Sequence, residues 1–404
     1  MGLGPYMTPH HPVRIVHVVN SLEGGGTERA LVALLGAFNP AWGDHAVVTL
    51  RGAGALAAEL PDHVACRAID AIGRRRTTAL AVLRTARTRS AQVIHARNSG
   101  CWMDAILAGW GTIRTRVVLG FHGLDHGGAF TARQRRIARI GLRCGATFTC
   151  VAESGSRRLR GIGIPGERIT VLPNGVNLQR FKPASSAERK RARQNLNLPE
   201  SAFVVGTVGS LTTVKRPDLL VEVARRLDAR VLLIGDGPLR EPLERRIRDC
   251  GLTDRVHLFG RRDNVAELLA ALDVYVCPSD SEEMSNALLE AMAAGVPVVT
   301  TNVGDHARIV RPERDGLVAP PGDADALAVA IERLRYSAES RRKFAAASRA
   351  RAEDFDFGRT AAAYEAYYAS LTAAHAAPGT SPDATFTWSP SPSLSVTPPR
   401  CTTW

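Results

Sequence analysis

The chain has 404 residues, 45% of them apolar, and a net charge of +13, a length that exceeds one core and suits two domains with additions. It contains no run of about 18 apolar residues, which excludes a transmembrane helix, and its seven scattered cysteines form no Cys-x-x-Cys pair, which excludes a metal or disulfide framework and fits free thiols in a reducing compartment. The charge excess lies wholly in residues 1–180, where 23 arginines and no lysine face 10 acidic residues; that half calls for an acidic partner such as anionic lipid or a phosphorylated acceptor, while the absence of a helix-turn-helix, RNP or zinc-finger pattern argues against nucleic acid.

Strand-like apolar runs alternate with helical patterns, which predicts parallel α/β units. The first dozen residues lack a basic start followed by an apolar stretch, so no secretory signal is expected. In the first half, strands are predicted at 14–20, 45–50, 93–97, 116–122, 147–152 and 169–176. The first strand runs into EGGGTERAL, where Gly24, Gly25 and Gly26 precede a helix that Thr27 is expected to cap. Glycine lets a backbone approach a ligand closely, and the amides of a helix start face anions. The six-position dinucleotide spacing is absent. His122 ends the strand VVLGFH, at the edge where α/β sheets place their ligands. His17, His95 and His126 have weaker claims. The segment Thr131–Arg143 reads as a basic amphipathic helix with Ile137, Ile140 and Cys144 on one side, suited to an anionic membrane surface. Asn174-Gly175 is a turn signal and the expected hinge, and the polar stretch 182–200 follows within a linker placed near 175–200.

In the second half, strands are predicted at 203–210, 229–237, 255–260, 274–279 and 297–304. After the first of them Lys215, one of only four lysines, sits in a loop that Pro217 turns into a helix. Gly235 and Gly237 mark a glycine-rich strand end, and Arg261 and Arg262 follow the next strand. The most informative stretch is SEEMSNALLEAMAAGVPVV, residues 281–299. Glu282 lies in the loop after a buried strand and Glu290 one to two turns into a helix, with Gly295 as its stop. Strand end, loop and helix start together make an anion site. Two carboxylates beside it suit a ligand that carries hydroxyls next to a phosphate, as a nucleotide-sugar does. The segment 355–371 reads as one helix with Tyr364, Tyr367, Tyr368 and Leu371 in a stripe, and from about 373 a Pro/Ser/Thr/Ala tail without periodicity is expected to be disordered.

These motifs, in this order over roughly residues 13–371, resemble family 4 of the retaining glycosyltransferases (glycosyl transferases group 1). The resemblance implies an α/β GT-B fold: two Rossmann-like doubly wound domains with an interdomain cleft. It implies an N-terminal acceptor domain over 12–180, a nucleotide-sugar-binding domain over 198–350, a helix at 355–371 that crosses back to the first domain, and the tail 373–404. It implies transfer of a hexose-type sugar from a nucleotide-diphosphate sugar to a hydroxyl of a glycan or lipid-linked acceptor, in polysaccharide, lipopolysaccharide or glycolipid synthesis. No cofactor or metal is expected. The catalytic group would be His122 near the reacting ring, Glu282 on the sugar and Lys215 on the leaving diphosphate. Donor binding would involve Gly25, Gly26, Ser210, Lys215, Gly235, Gly237, Arg261, Glu282, Met284, Ser285, Asn286 and Glu290, the last on the ribose. Two positions depart from the family pattern. Ser210 replaces an Arg, so either Arg216 or another Arg would supply the second charge, or the enzyme would be weak or altered. Glu283 replaces a Gly, which would change sugar preference or leave the side chain pointing outward. A cytoplasmic enzyme, peripheral on the inner membrane face, is expected. The alternatives are a GT-B nucleotide-sugar epimerase and a degenerate sugar-nucleotide binding protein.

Overall fold

The computed structural model of the chain describes residues 12–69, 75–112, 114–124 and 128–373. His126, Cys401 and the tail beyond 373 lie outside the described residues. Two all-parallel sheets organise the molecule. The first holds β1 (Val13–Val19), β2 (Gly43–Thr49), β3 (Ala65–Ala68), β4 (Val93–Ala96), β5 (Arg116–Phe121), β6 (Thr147–Cys150) and β7 (Ile169–Val171), in the order β3-β2-β1-β4-β5-β6-β7. The second holds β8 (Val204–Val208), β9 (Arg230–Ile234), β10 (Val256–Gly260), β11 (Val274–Cys277), β12 (Val298–Thr301) and β13 (Gly316–Ala319), in the order β10-β9-β8-β11-β12-β13. Helices cover both faces of each sheet, so the central strands read as continuous apolar runs rather than alternating ones. Both sheets reverse their strand order once, between β1 and β4 and between β8 and β11, and ligands of such sheets bind outside the carboxyl ends at that point.

Two strands carry too little sequence signal to be expected. The edge strand β3 is four residues long and mostly exposed. The other, β13, is equally short and follows a turn. The segment expected as a linker instead contains a helix, Ser186–Asn195, whose start is a capping box between Ser185 and Glu188. Arg189 and Arg193 from this helix both bind Asp273, at 2.7 and 2.8 Å, and so fasten it to the second lobe.

The chain passes between lobes at two places that lie side by side. The Val176 amide donates to the Phe355 carbonyl at 2.7 Å, and the Phe357 amide to the Val176 carbonyl at 3.2 Å. Gly175 sits against this junction so closely that a Cβ there would come within 2.6 Å of the Phe357 ring. The last helix, Phe357–Ala373, lies on the first sheet. Its Tyr364, Tyr368 and Leu371 share one buried cluster with Ile15, Val19 and Leu35.

The helix Ala132–Arg143 uses its apolar side internally. Ile137 and Ala138 are buried in the core of the first lobe and Ile140 packs against it, while Arg133, Arg135, Arg136, Arg139 and Arg143 are exposed. Of the expected apolar membrane face only Cys144 is exposed, because the same period that makes the helix amphipathic docks it onto its own sheet. Among the described residues no helix is long and apolar enough to cross a membrane.

Candidate active site

The loops after β8 and β11 flank the switch point of the second sheet, and each contributes one charge to the lining of the cavity between them. The Lys215 ammonium forms an ion pair with Glu282 Oε1, and Ser279 Oγ donates to the same oxygen at 3.4 Å. Ser210, Lys215, Cys277, Ser279, Glu282 and Ser285 line one small cavity between these loops. Desolvation alone would depress the Lys215 ammonium. The Glu282 charge and hydrogen bond outweigh it, so the group stays above its ordinary value and is charged at neutral pH.

The following helix, Asn286–Ala293, starts at Ser285, whose hydroxyl accepts from the Leu288 amide at 3.4 Å. Glu290 projects from its second turn, outside the lining of the cavity. Burial raises its carboxyl to about 7, against the pull of Arg180 and Arg29. Met284 and Asn286 carry this loop across to the first lobe. The Asn174 side-chain amide donates to the Met284 carbonyl at 3.4 Å, and the Asn286 amide to the Gly26 carbonyl at 3.0 Å.

The glycine loop after β1 meets the second lobe directly. Gly24 has φ +111°, and a Cβ there would collide with the Arg261 guanidinium. Arg261 donates to the Glu23 carbonyl at 2.9 Å, and Arg29 pairs with Asp263 at 3.1 Å. The helix Gly26–Ala37 is capped by Gly25 without a side-chain bond, rather than by Thr27, which lies inside the first turn. Gly235 and Gly237 support the cavity from behind: a Cβ at Gly235 would come within 1.9 Å of the Gly209 carbonyl oxygen, and one at Gly237 within 2.6 Å of that of Leu211. Their bare faces are occupied by the backbone that carries Ser210.

His122 follows β5 at the cleft. Burial, then the Arg97 charge, push its imidazole down to about 3, so it is neutral at physiological pH. His17 and His95 are instead buried in the first lobe, His17 against His45 and His95 against Tyr368.

Arg216, a candidate for the charge missing at Ser210, is not among the residues lining the cavity. It is held by two carboxylates, Asp218 at 3.0 Å and Asp280 at 2.8 Å. Glu283 does not point outward. It is buried and reaches the first lobe, where Ser154 Oγ donates to it and Arg158 Nε lies 3.2 Å away. Sequence reasoning missed Ser154, Arg158 and Asp305 because their partners lie more than a hundred residues away. It also passed over His306 in NVGDHARIV, which is fully buried; Thr300 Oγ1 is 2.8 Å from its Nδ1, and burial pushes its imidazole down to about 4. Among the described residues no three His, Cys, Asp or Glu side chains cluster as a metal site.

The chain is similar to known proteins in sequence and in fold. Residues 188–351 match the family model described as glycosyl transferases group 1, and residues 24–180 the one described as glycosyltransferase family 4. An Escherichia coli UDP-Gal:alpha-D-GlcNAc-diphosphoundecaprenol alpha-1,3-galactosyltransferase is 29% identical over 226 residues, 52% of this chain and 58% of the relative. A D-inositol 3-phosphate glycosyltransferase of Salinispora tropica is 33% identical over 228 residues, 52% of this chain and 47% of the relative. The chain thus matches about half the length of these curated relatives. The crystal structure of Anabaena HepE with UDP and glucose superposes with a TM-score of 0.79 at 21% identity, covering 88% of this chain and 99% of that one, a likeness of fold.

Proposed function

The chain belongs to the family 4, group 1 glycosyltransferases of GT-B fold, and from that premise we propose that it transfers a hexosyl unit, with retention of anomeric configuration, from a nucleotide-diphosphate sugar to a hydroxyl acceptor in cell-envelope polysaccharide, lipopolysaccharide or glycolipid synthesis. The observation that carries this is the Lys215–Glu282 pair in a cavity at the switch point of the second sheet. Each charge neutralises the other until a donor arrives. The diphosphate then takes Lys215, and a sugar hydroxyl takes Glu282. Lys215 offsets the charge that grows on the leaving phosphate. Glu290 accepts from the ribose hydroxyls.

His122, neutral in this site, hydrogen-bonds a hydroxyl of the reacting ring. The leaving phosphate takes the acceptor proton on the same face, since no side chain is placed as a covalent nucleophile. Arg261, at the glycine loop where the two lobes meet, is our candidate for the second positive charge that Ser210 does not supply. The epimerase and non-catalytic readings draw no support from the relatives.

The acceptor meets the first lobe, whose exposed arginines on the helix Ala132–Arg143 suit a lipid-linked or phosphorylated glycan. The free thiols of the described cysteines fit a reducing compartment, and the protein works at the cytoplasmic face of the membrane.

A thermal-shift screen over nucleotide-sugars tests the donor, because selective binding raises apparent stability by mass action. UDP-hexoses come first, on the strength of the Escherichia coli relative and the UDP bound to HepE. Glu282→Ala is expected to keep the fold and lose turnover. A protein that binds a donor yet never cleaves it with any acceptor extract refutes transfer.

A further inference from the structure

The side chain of Glu283 makes an interlobe contact that the glycine usual at this place in the family lacks. Only 3% of the side chain is exposed. Ser154 Oγ donates to its Oε2, and Arg158 Nε lies 3.2 Å from its Oε1. Two glycines of the first lobe make room for it. A Cβ at Gly123 would lie 3.4 Å from Glu283 Cγ, and one at Gly155 would lie 3.4 Å from Oε2. Gly123 directly follows His122, so the same carboxylate arm abuts the turn that carries the histidine.

A second acidic group joins it. Asp305 accepts from the amides of Glu153 and Ser154, at 2.8 and 2.9 Å. These amides open the helix Glu153–Gly161, whose own N-cap, Ala152, has no side chain to offer. Carboxylates at a helix start are stabilised by its free N–H groups and its dipole. The two acidic residues are themselves tied together. The Asp305 amide donates to the Glu283 carbonyl at 3.2 Å, and Gly304 packs so tightly on this segment that a Cβ would come within 1.9 Å of the Glu282 carbonyl oxygen. The second lobe thus holds one first-lobe helix with two carboxylates, and the Gly304–Asp305 backbone that carries one of them packs directly on the backbone of Glu282 and Glu283.

We propose that Glu283 is a positioning residue: by gripping Ser154 and Arg158 it makes the orientation of Glu282 depend on closure of the cleft. The inference rests on the donor-site role given above to Glu282. Burial raises the Glu283 carboxyl, with Ser154 and Arg158 pulling the other way. Desolvation and attraction therefore oppose each other, as they do in buried ion pairs generally. Such a contact holds the lobes without locking them, which a site that must open in every cycle needs. With the cleft open Glu283 is hydrated, the loop is released, and Glu282 is not set for a donor that water could reach.

The test uses the full chain and two kinds of measurement. Hydrogen exchange without ligand reads the grip itself at the amides of residues 153–157. Glu283→Ala, and Glu283→Gly as the less bulky variant, are expected to speed exchange there by about tenfold, the size of effect for losing a charge-assisted contact. Glu283→Gln, which still accepts from Ser154, is expected to restore part of the protection. Kinetics then read the coupling. Glu283→Ala and Arg158→Ala are each expected to lower kcat by about tenfold with little change in donor KM, and to raise the share of donor lost to water. The double variant is expected to be no worse than Glu283→Ala, since both act through one contact.

Unchanged exchange in Glu283→Ala, or fully additive losses in the double variant, overturns the proposal. Wild-type protein that binds and cleaves no nucleotide-sugar overturns instead the donor-site reading, and the exchange result then shows separately whether the grip exists.

Discussion

Burial raises the Glu290 carboxyl from the ordinary 4.5 to about 7, even with Arg180 and Arg29 nearby. Between those values the folded chain keeps a proton that the unfolded chain has released. Stability is therefore greatest at the acid side of this window and falls as pH rises through it. Glu290→Gln removes that slope. It is expected to be more stable than the parent at pH 8 by about 1–2 kcal/mol, allowing for the water that reaches a half-buried group. Urea titrations at pH 5 and pH 8 measure it. On the proposed ribose contact, whose hydroxyls would donate to the ionised form, UDP binding by the parent should tighten from pH 6 to pH 8, and calorimetry on Glu290→Gln should show no such trend. At this scale the sequence revealed which residues stand at strand ends, since the spacing from Glu282 to Glu290 and the rarity of Lys215 are visible in it. It left the pairings of Arg216 and Glu283 illegible. A guanidinium in a motif loop looks free until Asp218 and Asp280 are found around it.

At the scale of elements, the last helix is held to the first sheet by polar as well as apolar contacts. Tyr368 is fully buried, and its hydroxyl lies 2.7 Å from His95 Nδ1. The other ring nitrogen of His95 lies 3.1 Å from Thr149 Oγ1. Tyr368→Ala is expected to cost about 3–5 kcal/mol through the cavity it leaves. Tyr368→Phe should cost about 1–3 kcal/mol through the polar group it strands. Denaturant unfolding of both variants checks the order. Burial depresses His17 and His95 well below 6.5 and His45 to about 3. The unfolded chain takes up protons that these rings refuse, so their contribution is complete above 6.5 and is lost as pH falls from there. The aromatic stripe of this helix was readable from its period. Its landing place on β1 and β4 was not, because no local pattern records a contact across more than two hundred residues. The helix Ser186–Asn195 shows the opposite failure, with Ser185 and Glu188 a legible start signal inside a stretch dismissed as polar.

At the scale of the molecule, the charge divides as the sheets do, and the arginine excess belongs with the first of them. Since the apolar side of the helix Ala132–Arg143 is used internally, any membrane contact there is electrostatic and falls off within a Debye length. Flotation with vesicles containing anionic lipid is expected to recover the protein at low salt and to release it at high salt. Equal recovery on neutral vesicles would remove the contact.

The two bridged segments where the chain changes lobes limit what the halves can do. A single covalent link would permit twisting and sliding as well as swinging. Two neighbouring links, bonded to each other through Val176, are expected to suppress shear and leave chiefly one rotational degree of freedom. On the proposed function, each swing would return the facing lobes to the same height, and the register between donor and acceptor would be set by the axle rather than found anew by the ligands.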